Sequence, residues 1–112
     1  MNLINLTPHD INIYNDKKEL ERTIHSEGSL RLKEEFKIED SINNIKIVDK
    51  TYYIKEEDLP PRKNETLYIV SLPFLMGYNG DRDDFIAPDT GATCVRGDNG
   101  QILGVTQFLR LK

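Results

Sequence analysis

The sequence predicts a mainly β protein, a compact antiparallel β roll or small open barrel with one short helix, and three observations carry that reading. Apolar residues recur at period two through the first half, as at Ile11 and Ile13 and again at Leu20 and Ile24. An unbroken apolar run, Leu67-Tyr68-Ile69-Val70, has the length and composition of a strand buried on both faces. The last third, from Arg82 onward, alternates strand-like stretches with turn residues. At 112 residues the chain has the size of a single domain, 1–112, and no repeat or linker divides it.

Taken in order, Ile11 and Ile13 run into the turn chemistry of Asn15-Asp16, and Leu20, Arg22 and Ile24 follow as the returning strand. Glu27-Gly28-Ser29 interrupts the pattern and Leu30 and Leu32 resume it, which predicts a second hairpin. The stretch LKEEFKIEDSI reads equally as strand or as a short amphipathic helix. Ile45, Ile47 and Tyr52 to Ile54 add β-branched and aromatic residues that favour strand. Leu59-Pro60-Pro61 ends what precedes it, because consecutive prolines fix φ and remove donors.

Leu67 to Val70 is then the predicted central strand. Ser71 followed by Pro73 has the form of a helix cap with proline in the first turn, and Gly77 and Asn79-Gly80 supply the stop. The expected helix spans Leu72 to Tyr78, packed by Phe74, Leu75 and Met76. Asn99-Gly100, between Ala92–Arg96 and Gln101–Leu109, predicts a two-residue hairpin. Val105, Phe108 and Leu111 are expected to close the core.

Hydrophobic residues at 38% and charged residues at 30% place the chain among folded globular proteins. The net charge of -4 gives no general attraction to nucleic acid or anionic lipid, so a nucleic-acid partner is disfavoured, and a basic protein surface is compatible. No cationic, apolar leader opens the sequence and no apolar run is long enough for a helical membrane span, which predicts a cytoplasmic protein with no membrane partner. Cys94 is the only cysteine, so an intramolecular disulfide is impossible and a cysteine-based metal cluster cannot form within one chain.

The chemistry-bearing candidates concentrate between Asn79 and Gly91, a polar loop bracketed by ordered elements. Asn79, Asp81 and Asp83 start like a calcium loop, but Asp84 stands where the glycine belongs and Thr90 where the glutamate belongs, so a solvated acidic loop is the better reading. Arg82 among Asp81, Asp83 and Asp84 reads as a local ion-pair cluster. Alternatively, Arg82 and Arg96 are forks for phosphate or carboxylate. His9 and His25 invite a triad, yet Ser71 lacks a nucleophile elbow and capping accounts for it. Cys94 in a predicted strand reads as a small buried hydrophobe. Asp89-Thr90-Gly91 repeats an aspartic-protease triplet but is explained as a turn. No phosphate-loop or dinucleotide motif is present.

Thr7-Pro8-His9, Leu59-Pro60, Tyr68-Ile69-Val70-Ser71, Arg82, Asp84, Pro88-Asp89-Thr90-Gly91, Arg96 and the stretch from Gly100 to Gly104 together resemble a family of small uncharacterised proteins of bacteriophages, prophages and some bacterial genomes. The segment from Lys33 to Ile45 is more charged than that pattern and reads as a local insertion. The resemblance implies mainly a phage or prophage setting, in which small proteins without a catalytic motif often bind a host factor; with no catalytic or cofactor motif present, the expectation is a non-enzymatic, cofactor-free binding protein of the host cytoplasm, a homo-oligomer acting against antiviral defence. Two mechanisms fit. One is sequestration of a nucleotide-derived immune signal, with Arg82 and Arg96 on phosphates, Tyr78 or Phe85 against a base, and Asp84, Asp89, Thr90 and His9 completing the site. The other is blockade of a host defence protein through an acidic face. A metal-independent hydrolase using His9 with Asp84 or Asp89 is the alternative of another class.

Overall fold

In the computed structural model, which describes residues 1–111 and leaves the Glu39 side chain aside, the protein is mainly β with one short helix. Its centre is a four-stranded sheet in the order β1-β6-β7-β10, formed by β1 (Asn2–Asn5), β6 (Thr66–Ile69), β7 (Phe85–Pro88) and β10 (Phe108–Leu109). β1 and β7 both run parallel to β6, and β10 is antiparallel to β7. The sheets do not close into a barrel. Local sequence pattern shows hairpins and not parallel pairs, because a parallel pair needs a long crossover. Here one crossover is everything from Leu6 to Glu65, and the other is a short helix.

The predicted central strand holds. β6 lies between two parallel neighbours, and its period-two alternation divides the interior in two. Tyr68 and Val70 join Phe74, Leu75, Phe85 and Ala87 on one face. Ile69 joins Ile11, Ile24, Ile86 and Val105 on the other. Tyr68 and Ile69, on opposite faces, are 2% and 0% exposed, so the C-terminal half of this strand is covered on both sides. Burial at about 25 cal/mol per Å² makes each such side chain worth roughly 1.5–3 kcal/mol.

The helix α1 (Leu72–Gly77) covers the first face. Ser71 caps it, its Oγ accepting from the Phe74 amide at 3.3 Å, and proline stands in its first turn. Phe74 and Leu75 are buried as expected, whereas Met76 is 68% exposed, because a helix this short turns only one side to the sheet. The second face is covered by the hairpin of β2 (Ile11–Tyr14) and β3 (Leu20–Ile24) with Val105 and Phe108. Leu111, expected in the core, is 50% exposed because it lies beyond the last strand pair.

Two further hairpins complete the chain. β8 (Val95–Arg96) pairs with β9 (Ile102–Gly104), but the loop is longer than Asn99-Gly100 alone. Gly97 and Gln101 still pair, and Gly100, at φ +83°, donates to the Gly97 carbonyl, giving a three-residue loop with glycine in the left-handed position. Gly104 allows a close approach: a Cβ there would stand 2.5 Å from the Asn12 carbonyl, across the join between β9 and β2.

The stretch left open between helix and strand is strand, β4 (Lys33–Ile42), paired antiparallel with β5 (Ile45–Tyr53). Asn43 and Asn44 turn it with φ of 52° and 66°, the left-handed pair a tight hairpin requires. Leu30 and Leu32 do not form the predicted second hairpin. They pack against the α1 face of the core, and the Leu30 amide donates to the Leu6 carbonyl. The β4–β5 ribbon stands away from the body: the radius of gyration is 17.1 Å, against about 13–14 Å for a compact chain of this length.

Candidate functional site

In open sheets, the carboxyl ends of parallel strands are where loops converge and ligands seat. Here β1, β6 and β7 end on the same side, and residues at and beyond their ends, Thr7–Asn12, Ser71–Pro73, and Pro88 with Thr90, line one cleft of about 500 Å³ bordered by β9. The size suits a small organic molecule. Its walls are mainly apolar, from Pro8, Ile11, Leu72 and Leu103. Polar groups enter from Thr7, His9, Asp10, Asn12, Ser71 and Thr90.

The first loop is held from beneath by Asn5, which is wholly buried. Its amide donates to the carbonyls of His9 at 2.9 Å and Ile24 at 3.0 Å, and its Oδ1 accepts from the Thr7 amide at 2.9 Å and the Thr7 hydroxyl at 2.7 Å. Ser26 Oγ donates to the Thr7 carbonyl, and the Ser26 amide donates to Asp10 at 2.8 Å. Asp10 also meets His25 Nδ1 at 3.0 Å. The Ser26 amide first, and His25 after it, hold the Asp10 carboxyl below the ordinary carboxylate range. Thr7-Pro8-His9-Asp10 is therefore a fixed loop, with exposed His9 and Asp10 at its tip.

A second cleft, of about 650 Å³, shares Pro8, Ser71 and Pro73 with the first. It runs between α1 and the base of the β4–β5 ribbon, and Arg31 lines it. Arg31 is exposed and its Nε makes one long hydrogen bond, 3.4 Å, to Ser29.

The structure disperses the expected site residues. His9 and Thr90 do share the first cleft. Arg82 lines neither cleft. Its Nε and Nη2 each reach the Asp84 carboxylate at 2.8 Å, and its guanidinium lies 5.0 Å from the centre of the Phe85 ring. Burial pushes the Asp84 carboxyl up, but the hydrogen bond and charge of Arg82 outweigh it and the net direction is down. The two residues form the local ion pair that their spacing suggested.

Phe85 is 2% exposed, which leaves no ring face for a base. It packs edge-on against Phe74, Tyr78 and Tyr68. Tyr78 stacks on Phe74 at 5.9 Å and is a wall of that cluster. Asp89 is a turn residue, accepting from the Gly91 amide at 3.0 Å and from Gln107 at 2.7 Å. Those two bonds, the amide first, hold its carboxyl below the ordinary range. Arg96 is exposed, lines neither cleft, and its Nη1 donates to the Gly100 carbonyl at 2.8 Å across its own hairpin. Cys94 sits just ahead of β8, half-buried, its thiol 3.5 Å from the Thr90 carbonyl.

The residues missed by sequence reasoning are Asn5, Asp10, Asn12 and Arg31. Only the first two left a sign: Asn5 is a polar residue ending an apolar strand, and Asp10 follows the Thr-Pro-His triplet. Among the described residues, no group of three or more His, Cys, Asp or Glu is placed to hold a metal ion, and no helix is long and apolar enough to cross a membrane. A scan against family models, a search of curated proteins and a search of solved structures each return no match.

Proposed function

We propose that the protein is a binding module of phage or prophage type that sequesters a nucleotide-derived signal of host antiviral defence in the cleft at the carboxyl ends of β1, β6 and β7. The observation that carries this reading is the convergence of three post-strand segments on one rigidly braced, largely apolar cleft with several hydrogen-bonding groups, beside the Asp10 carboxylate that His25 and the Ser26 amide hold. The nucleoside part fits that chemistry: an apolar wall for the base, and Thr7, His9, Asn12 and Thr90 for ribose hydroxyls. The phosphate belongs over Pro8 and Pro73 toward Arg31, whose planar fork suits it. Arg31 takes the role the sequence suggested for Arg82 and Arg96. The ligand is held without turnover, so it is recovered intact.

Calorimetric titration with nucleosides, their monophosphates and cyclic dinucleotides tests this. Binding of at least one phosphorylated compound, weakened by His9→Ala and by Arg31→Ala and indifferent to Arg96→Ala, is the expected result. Absence of heat with every compound, together with salt-sensitive capture of a host protein, would replace sequestration with blockade through an acidic face.

A further inference from the structure

The ribbon of β4 and β5 is the most anomalous part of the molecule. The strands pair from Lys33↔Tyr53 to Ile42↔Ile45, and among the described residues no third strand joins either edge. Phe36 and Ile38 are 64% and 63% exposed, and every residue of β5 is exposed. Glu34, Phe36 and Ile38 stand opposite Tyr52, Lys50 and Val48, so one face carries Phe36, Ile38, Val48 and Tyr52 around Lys50, whose ammonium lies over the Phe36 and Tyr52 rings and pairs with Glu34 at 3.1 Å. A free two-stranded ribbon is marginal in water, and a long apolar edge is a template for another strand.

From this we infer that the β4 edge is a self-association surface: two copies of the chain pair their β4 strands antiparallel about a two-fold axis through Phe36, making a continuous four-stranded sheet β5-β4-β4-β5. The charge pattern selects this edge and register. A two-fold axis at Phe36 sets Phe36 against Phe36, and Glu35 against Lys37 of the second copy, twice. Within each ribbon Lys37 already stands opposite Asp49, so one row across the sheet reads Asp49, Lys37, Glu35, Thr51 with charges alternating. Neighbouring centres on β4 fail: at Glu35 or Lys37 a charge meets itself, and at Ile38 the ladder runs into the register shift before Asp40. The middle of β5 fails too, since centring on Val48 opposes Lys46 and Lys50, and centring on Asp49 or Lys50 opposes like charges. A closed isologous pair of this kind covers the β4 edge of both copies, with β5 as the outer strand on each side.

The test is the mass of the full chain in solution by sedimentation equilibrium, from micromolar to millimolar concentration. Wild-type protein is expected at twice the mass of one chain. Glu35→Lys, which places lysine against Lys37 of the second copy while facing only Thr51 in its own ribbon, is expected to give monomer. The triple exchange Glu35→Lys, Lys37→Glu, Asp49→Lys reverses the whole row and is expected to restore the dimer. Independently, Phe36→Cys in a Cys94→Ser background puts two thiols across the axis at the separation a disulfide needs. It is expected to cross-link on mild oxidation, while Ile47→Cys on the outer strand does not. Monomer at every concentration, a dimer indifferent to Glu35→Lys, or cross-linking at Ile47→Cys in place of Phe36→Cys would overturn the inference.

Discussion

Arg82 and Asp84 face each other two residues apart in sequence, joined by two parallel 2.8 Å hydrogen bonds, with Asp84 at the rim of the aromatic cluster and 7% exposed. The pair seals the edge of the core beside Phe85, and its geometry makes a sharp prediction. Arg82→Ala strands a buried carboxylate and is expected to destabilise the fold by about 3–5 kcal/mol, whereas replacing both residues by well-packed apolar ones costs far less. Chemical denaturation of the single and double variants measures the difference, and ligand affinity per folded molecule stays unchanged.

Asn5 is expected to be the polar residue most costly to remove near the cleft. Asn5→Ala leaves the buried Thr7 amide without its acceptor and takes one donor from the His9 and Ile24 carbonyls, of which the His9 carbonyl keeps the Thr7 hydroxyl, a loss of about 1–3 kcal/mol for each group left unpaired and unhydrated. Hydrogen exchange on the variant is expected to rise at Thr7–Asp10 before it rises in β6.

Acid sensitivity follows from three carboxyls held below their ordinary value of 3.8. A depressed folded-state pKa contributes stability that is fully present above the unfolded value and lost as pH falls through the folded one. Stability is therefore expected to be insensitive to these groups near neutrality and to fall below about pH 4. Asp84→Asn is expected to flatten that acid limb, which thermal melts across the range will show.

Binding is expected to separate by chemistry. Arg31→Ala removes a charge-assisted bond of about 1.5–3 kcal/mol, weakening a nucleotide roughly 10–100-fold and leaving the parent nucleoside unchanged. His9→Ala weakens both. Paired calorimetric titrations read the contrast.

Much of the fold was legible because its signals are local. The run from Leu67 to Val70, the Ser71 cap with Pro73, and the Asn15-Asp16 turn each determine their own geometry within a few residues. The parallel arrangement was not legible, since the partners of β6 lie far away in sequence and no short-range period records them. The site followed the same division. Thr90 and His9, named from the resemblance, line the cleft, while the side chains of Arg82, Phe85 and Asp89 meet their immediate neighbours, which no local pattern records. Arg31 was invisible because its place at the second cleft depends on the fold bringing the start of β4 beside α1.

The most direct measurement of the central claim is amide chemical-shift mapping of isotopically labelled protein titrated with the nucleotide that binds in calorimetry. The account predicts shifts clustered at Thr7–Asn12, Ser71, Leu72, Thr90 and Leu103–Val105, with Arg31 beside them. Shifts centred on Asn79–Asp84 and Arg96, with the Thr7–Asn12 loop unmoved, would contradict it.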